Sequence, residues 1–502
     1  MRVLLINPPF QRLAKVFNTY FPLGIGYVAA VLEQEGHFVR IYNADKDIGE
    51  RDFSTTGSNA ARVEAHDNYI GAIRNIDHYV WSEIRQRVKD FQPDIIGIQS
   101  MTSTFPSVRI VARIAKDVYP EVPIMIGGVH PSTVPDEVMT DENVDFAVCG
   151  EGELTTLELV QALLKRTTDF SGITGLCYRD DNQIKKNPPR EFIKDLDSLP
   201  FPARHLVLDP ELYSSEFGAI VMGRGCPYMC TFCSAKVLWT RKVRSRSAAN
   251  VIAEIKHVKE KYGVRSFAFQ DDTLTFDKKR LLDLCYLLID SGLNIHWSSF
   301  SRVDVITDEI LPILKKSGCY NLGFGIESGS ERTLRVMKKH INLSQAFHAR
   351  ELLKKHGIEF SCCFLIGTPD ETKEDLRASI EFLRKLKPDT VNVCTYTPYP
   401  GTEMYERALE LGVTSQDLDH LFFSHHSSNN MFSGFMTPDE FVELRKEIIA
   451  LADSMGNRLD IAFFKSMARL MIRDPRYFIS RVPHYIKIFP SYLRKAYARY
   501  PN

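Results

Sequence analysis

The sequence predicts an α/β protein made of two strand–helix series, closed at its C-terminal end by a mostly helical region. Three observations predict it. Short apolar runs alternate with amphipathic stretches over residues 1–165, the pattern of a parallel sheet wound with helices. The proline-punctuated run Leu196-Asp-Ser-Leu-Pro-Phe-Pro202 interrupts that pattern and reads as an extended linker. A second alternation, with six apolar runs, begins near residue 217. At 502 residues the chain is too long for one ordinary core. The expected divisions are a Rossmann-like domain over 1–175, a linker over 176–215, a second βα domain over 216–410 and a mostly helical, basic region over 411–502.

In the first series, Val3–Ile6 is a short buried strand, Leu23–Gln34 a helix and Phe38–Tyr42 the next strand. Residues 46–70 are polar and read as an irregular insertion or mobile loop. Asp77–Phe91 has helical apolar spacing, Asp94–Ile98 is a buried strand, and Val108–Tyr119 is a helix. Pro123–Gly128 is a strand ending in glycines, and Asp145–Cys149 is a strand followed by a helix to about Lys165. Ligands bind at the carboxyl ends of the strands in such a sheet. Three loops lie there: Gln99–Thr104 with Ser100, Thr102 and Ser103; Gly127–Pro131 with Gly128, Val129 and His130; and Gly150–Glu153 with Glu151 and Gly152. Small and hydroxyl side chains there let a large polar ligand approach the backbone. Arg179–Pro189 reads as a polar hairpin or loop. In the second series the strands are Ala219–Met222, Ser266–Gln270, Ile295–Ser299, Asn321–Gly325, Glu359–Leu365 and Thr390–Val393. Helices fall between them, as at Ala249–Tyr262, Lys278–Ser291 and Gln345–His356.

Composition narrows the class. Hydrophobic content of 44% and charged content of 25% are those of a globular protein in water. The formal net charge of +0 gives no sign of a nucleic-acid partner, and none is expected. Ten cysteines without a regular framework point to a reducing compartment. The start of the chain reads as a strand, not a signal peptide, and no apolar run is long enough to span a bilayer. The expected location is the cytoplasm.

The most informative segment is Gly223-Arg-Gly-Cys-Pro-Tyr-Met-Cys-Thr-Phe-Cys-Ser234. Cys226, Cys230 and Cys233 form a C-x3-C-x2-C triplet after a short apolar strand. Three thiolates this close suit a metal cluster better than a disulfide, and zinc would normally want a fourth ligand at matched spacing. Iron–sulfur cubanes usually take four, so three leave one iron open. The triplet, with Phe232 before its last cysteine, resembles the signature of the radical S-adenosylmethionine (SAM) superfamily. That resemblance implies a [4Fe–4S] cluster on the three cysteines, SAM on the open iron, a 5′-deoxyadenosyl radical, and a partial (βα)6 barrel. An external electron donor of flavodoxin or ferredoxin type is implied too.

The runs Gly127–Pro131 and Val144–Glu153, with the linker, resemble those of the cobalamin-binding domain fused to many radical SAM enzymes, over roughly residues 1–410. The Asp-x-His-x-x-Gly motif of many corrinoid proteins is missing, so any cobalamin is expected without a histidine on its lower face. His130 is either a lower-face neighbour or a turn histidine bonded to backbone. A Rossmann-like domain without corrinoid is the plainer alternative. Methylthiotransferases with N-terminal cluster cysteines are unlike this chain, whose first cysteine is Cys149. Auxiliary clusters after the barrel are not expected, since the last cysteine is Cys394. Cys362 and Cys363 sit side by side in a strand and face opposite ways, which suits packing.

The resemblance also implies SAM contacts. Phe269–Thr275 replaces a Gly-Gly-Glu element, so Asp271 or Asp272 either binds the SAM ammonium or caps the next helix. Arg302 either pairs with the SAM carboxylate or forms a surface salt bridge. Glu327 is placed for the ribose hydroxyls, and the segment around Ile366 for the adenine. Tyr396 and Tyr399 either face the substrate or pack.

The combination resembles class B radical SAM methyltransferases. It implies methyl transfer from methylcobalamin to an unactivated carbon. Ring cyclisation, contraction or oxidation by the same domain pair is the alternative. A non-catalytic cluster- and corrinoid-binding sensor is a further one. Residues 460–502 interleave nine Lys or Arg residues, among them Arg469, Arg476 and Lys487, with aromatic and aliphatic ones, among them Phe463, Tyr477 and Tyr485. That mixture suits peripheral contact with an anionic membrane and a lipid-like substrate, or else a basic helical cap.

Overall fold

The computed structural model describes residues 1–16, 20–46, 58–180, 183–213, 215–456 and 471. Strand β1 (Arg2–Asn7) is buried from Val3 to Ile6, because helices cover both faces of its sheet. Helix α1 (Leu23–Gln34) returns the chain to β2 (Phe38–Asn43), which pairs in parallel with β1. Helices α2 (Asn59–Arg74) and α3 (Tyr79–Phe91) lead to β3 (Ile95–Gln99), on the other side of β1. Then follow α4 (Phe105–Val118), β4 (Ile124–Gly127), α5 (Val129–Thr133), α6 (Pro135–Met139), β5 (Phe146–Val148) and α7 (Gly152–Leu164). The order β2-β1-β3-β4-β5 places a topological switch point between β1 and β3.

The sheet is not parallel throughout. Strands β6 (Leu176–Asp180) and β7 (Gln183–Lys186) extend it antiparallel, with Ala147 opposite Cys177 and Tyr178 opposite Lys185. The N-terminal sheet thus takes in residues 176–180 and 183–186, which the sequence assigned to the linker. Their polar composition is that of an outer edge: all four residues of β7 are exposed.

The barrel holds all six expected strands, in chain order and parallel. They are β8 (Ala219–Ile220), β11 (Ser266–Phe269), β12 (His296–Ser301), β13 (Cys319–Glu327), β14 (Glu359–Ile366) and β15 (Thr390–Thr395). A small ribbon of β9 (Gly223–Arg224) and β10 (Arg244–Ser245) flanks the cysteine loop, with α8 (Ala235–Trp239) between them. Helices α9 (Ala248–Tyr262), α10 (Lys278–Asp290), α11 (Leu311–Lys316), α12 (Glu331–Val336), α13 (Leu343–His356) and α14 (Lys373–Leu386) cover the outside.

Two segments take their backbone from contacts with distant chain, and the first departs from expectation. Residues 58–74 are not a loop: α2 starts on a Ser58 cap that accepts from the Ala61 N–H. Its Ala65, Tyr69 and Ala72 recur at helical spacing and are buried in the N-terminal core. Its first turn reaches the barrel, where the Asn59 side chain accepts from the Val393 N–H at 2.7 Å and donates to the Val391 carbonyl at 3.1 Å. One amide thus satisfies the open edge of β15. The region after α15 (Glu403–Glu410) begins as irregular chain and continues as helix as far as it is described. Residues 411–437 wrap the barrel end as irregular chain, with one short turn at His420–Phe422, before α16 (Pro438–Gly456). Helix α16 packs on β15, α14 and α2. In both cases contacts with distant chain, invisible to local composition, decide the backbone. Apart from residue 471, the basic stretch over 460–502 lies outside the described residues.

The linker is ordered. Leu196 and Leu199 pack on Tyr27 and Val31 of α1. Arg204 donates to the Phe217 and Ala219 carbonyls at 2.8 and 2.6 Å. Its guanidinium also pairs with Glu254 at 2.7 Å, and Arg246 meets the same carboxylate at 2.5 Å. All three side chains are at most 4% exposed. Such a triad is stable only when complete. Replacing Glu254 by Ala strands two buried guanidinium groups, and chemical denaturation is expected to show a loss of about 3–5 kcal/mol.

Candidate functional site

The carboxyl edges of the two sheets face each other across a cavity of about 380 Å³, within the usual range for small-molecule sites. One wall comes from the N-terminal domain: Gln99, Ser100, Gly127, Gly128, Val129, Gly150, Glu151 and Gly152, with Gly24 and Val28 of α1. The other comes from the barrel: Val221, Gly223, Arg224, Trp239, Gln270 and Asp272. Seven of the ten residues expected in the three Rossmann loops, Gly128 among them, therefore line one space. Gly128 is required there. Its φ is +119°, and a Cβ would lie 2.6 Å from the Ser100 carbonyl oxygen.

Thr102, Ser103 and His130 do not line the cavity. Tight packing of Gly128 on Ser100 turns the start of α5 away, and the His130 side chain is fully buried behind the loop. There its Nδ1 lies 3.3 Å from Thr102 Oγ1 and its ring packs tilted against Phe105, the ring centroids 4.3 Å apart. Burial, with His420 nearby, pushes its pKa down to about 4, so the imidazole is neutral. The reading of His130 as a lower-face neighbour is thereby corrected. Ser103 accepts at its carbonyl from the Tyr69 hydroxyl.

Glu151 borders the cavity, but its carboxylate serves the domain interface. It accepts from Arg224 at 2.6 Å, from Arg244 at 2.8 and 2.9 Å, and from the Ile193 N–H at 2.7 Å. Glu153 takes the other arm of Arg224 at 2.5 Å. Burial opposes the charge of Arg224, yet Glu153 and Glu151 hold its pKa above the ordinary value. Sequence reasoning missed Arg224 and Arg244. The only signal was an arginine between two glycines at the start of the cysteine loop.

The cysteine loop leaves β9 through Gly225, whose φ is +103° and whose Cβ position would collide with the Lys242 carbonyl. Its middle is held by Thr231, which donates from its N–H to Met337 and accepts from the Met404 N–H, both at 3.0 Å. The three thiols are half-buried and free of disulfides. Burial pushes Cys233 up to about 11 and raises Cys230, with each neighbouring thiolate adding to the effect. Thiols that repel one another's ionisation in a partly dry loop fit a metal cluster, whose iron would take them as thiolates. Lys339, also missed from sequence, sits beside them. Burial works against its charge, but Glu327 and Cys230 hold its pKa above the ordinary value. Its ammonium pairs with Glu327 at 2.9 Å and lies 5.9 Å from the Phe232 ring centroid.

The expected SAM residues divide. Asp271 is buried and accepts from the Gly223 and Met222 N–H groups at 2.6 and 3.1 Å, so it anchors the strand end that launches the cysteine loop. Asp272 faces the cavity. Arg302 is not poised for a carboxylate and is no surface pair. It is 5% exposed, forks onto Asp304 at 3.0 and 2.9 Å, donates to the carbonyls of Lys339 and His340, and stacks on Tyr228 at 3.8 Å. It ties Tyr228 of the cysteine loop to residues 339–340. Glu327 ends β13 at a φ of +70°, beside a register shift, with its carboxylate on Lys339. Ile366 is fully buried, and its carbonyl accepts from the Tyr396 N–H at 2.8 Å. Tyr396 is buried against Phe432, and Tyr399 reaches His425 at 3.2 Å.

Two features fit a corrinoid in the cavity. Gln99 Oε1 is buried there without a hydrogen-bond partner among the described residues. A Cβ at Gly24, Gly127 or Gly152 would meet nothing nearer than 3.6 Å, so these glycines leave open surface for a flat ring.

A family model of the B12 binding domain matches residues 12–160, and one of the radical SAM superfamily matches residues 220–383. An uncharacterised methyltransferase of Pyrococcus horikoshii is 34% identical over 415 residues, covering 82% of this chain and 83% of that one. Cytidylyl-2-hydroxyethylphosphonate methyltransferase of Streptomyces wedmorensis is 28% identical, covering 82% of each chain. The fold is similar to that of the radical SAM methyltransferase TsrM of Kitasatospora setae, solved with cobalamin and a [4Fe–4S] cluster. The TM-score is 0.67 and the identity 16%, over 92% of this chain and 89% of that one. The chain belongs to the cobalamin-dependent radical SAM enzymes. Its cofactors are a [4Fe–4S] cluster, SAM and cobalamin.

Serine at any one of positions 226, 230 or 233 is expected to take iron from about four per chain to below one, read by metal analysis. Burial pushes Asp271 up to about 7 from an ordinary 3.8, against the pull of its two backbone donors. Ionising it in the folded state is unfavourable, so its contribution is complete below about pH 3.8 and is lost as pH rises through about 7. The melting temperature of Asp271→Asn should lack that decline, and parallel pH profiles of the two proteins would refute it.

Proposed function

We propose that the protein is a C-methyltransferase, moving a methyl group to an unactivated carbon of a small-molecule or lipid-like substrate. The observation that carries the reading is the shared cavity, in which Gln99, Gly128 and Gly150 face Gln270 and Asp272 across the domain interface. When bound, the cluster and SAM supply a carbon-centred radical on the substrate, and cobalamin supplies the methyl group.

The chain's own residues orient and shield. Cys226, Cys230 and Cys233 hold the cluster, and Lys339 places positive charge beside it. Asp272 would accept from the SAM ammonium, and Glu327 with its Lys339 partner would hold the ribose hydroxyls. Ser100, Gly127, Gly128, Val129, Gly150 and Gly152 receive the corrinoid. The Glu151–Arg224–Arg244 network closes the interface, which keeps water from the reacting carbon. Electrons come from a flavodoxin or ferredoxin type donor. No helix among the described residues is long and apolar enough to cross a membrane. The free thiols suit a reducing compartment such as the cytoplasm, and the basic, aromatic-rich sequence of 460–502 suits contact with an anionic membrane surface.

The test is turnover of anaerobic holoenzyme with reductant, SAM bearing a CD3 methyl and candidate acceptors. A product that keeps an intact CD3 on carbon is the expected result. An unlabelled, rearranged product would replace methyl transfer by ring chemistry, and absence of any SAM-derived product would favour a sensor. Asp272→Asn should weaken SAM binding by about 10-fold, the loss of one charge-assisted hydrogen bond, measured by equilibrium binding to the reconstituted protein.

A further inference from the structure

Behind the Rossmann loops, away from the shared cavity, three side chains converge from separate parts of the chain. His130 comes from α5, Glu137 from α6, and His420 from the short turn in the wrapping segment. Their ligand atoms all lie within 4.8 Å of one another. His420 Nε2 is 3.1 Å from one Glu137 oxygen, and His130 Nε2 is 3.9 Å from the other.

His130 is the informative member. Its side chain is fully buried, and Nε2 has no hydrogen-bond partner among the described residues. Its other nitrogen is engaged by Thr102 Oγ1 at 3.3 Å. With Nδ1 as the protonated nitrogen, Nε2 presents a lone pair toward a carboxylate, two acceptors facing each other. A cation between them removes that conflict. Metal-binding histidines are anchored in this way, one nitrogen on a neighbouring acceptor and the other on the ion. Phe105 supplies an apolar wall, 4.3 Å from the His130 ring and 5.3 Å from that of His420. Two imidazoles and one carboxylate are a ligand set suited to zinc-class divalent ions, with a fourth position left for water.

We propose that His130, Glu137 and His420 bind a divalent ion of the zinc class, separate from the iron and cobalt of the active site. The ion clamps the wrapping segment to the N-terminal domain. The same segment meets the barrel where the His425 carbonyl accepts from the Thr395 N–H at 2.7 Å, beside the end of β15. The clamp therefore joins three parts: the corrinoid domain, the wrapping segment and the barrel rim. The proposal does not depend on which substrate is methylated.

The experiment uses anaerobic holoenzyme, with its cluster and cobalamin in place so that the cluster thiolates are occupied. Zn²⁺ alone is added against a competing chelator. Wild-type protein should take up about one zinc per chain, with nitrogen and oxygen but no sulfur ligands at the zinc X-ray absorption edge. Glu137→Gln and His420→Asn should lose that zinc while keeping their iron and cobalt, which reports that both variants fold. Thr102→Val should bind zinc about 10- to 100-fold more weakly. Failure of wild-type protein to bind zinc, sulfur at the zinc edge, or zinc retained in either ligand variant would overturn the proposal.

Discussion

The arrangement depends on holding two carboxyl sheet edges face to face, and a buried charge network does that work. Glu151 and Glu153 stand at the start of α7, while Arg224 and Arg244 belong to the ribbon that flanks the cysteine loop. None of these side chains is more than 12% exposed. Burial makes each charge unfavourable alone, and the pairing makes the contact between domains specific in direction and distance. Cofactors that must meet in one space are thereby given a single geometry. The loop that the Rossmann topology makes a ligand site also carries the carboxylates of the interface, so the cavity and the docking of the domains share residues.

The cysteine loop is the second rigid part. It is held at its start by Asp271, which receives two backbone N–H groups. It is held in the middle by Thr231 and beneath Tyr228 by Arg302. Lys339 and Glu327 put a paired charge close to the thiols. Asp271, Arg302 and the Met337 and Met404 backbone groups that grip Thr231 all lie far from the loop in sequence. The loop needs them because three thiols with raised or half-buried environments do not by themselves specify a backbone.

The joints around the barrel follow one rule: open edges and buried polar groups are closed by distant chain. Asn59 completes β15, α16 covers the same strand, and the wrapping segment reaches from the barrel rim to His130 and Glu137. The open side of a six-stranded partial barrel makes such cover necessary, since an unpaired strand edge exposes backbone groups. Here the N-terminal domain itself supplies part of the cover.

The sequence by itself determined what is local. Alternating apolar runs specified the five parallel strands of the N-terminal sheet and the six of the barrel, because burial on both faces leaves a continuous apolar signature within a few residues; the polar edge strand β7 carries no such signature. The C-x3-C-x2-C spacing singled out the three thiols proposed to hold the cluster, and small residues at 100, 127–128, 150 and 152 specified one wall of the cavity, because each lies in one short stretch. Only the tertiary structure decided which charges were already engaged. Arg302 and Asp271 look free in sequence but are held by Asp304 and by the backbone of 222–223. Thr102 and His130 turn away from the cavity, and residues 58–74 become a helix on meeting a strand edge more than three hundred positions away. The reason is physical. A side chain's role is set by its nearest partner, and a partner brought by folding leaves no trace in neighbouring residues.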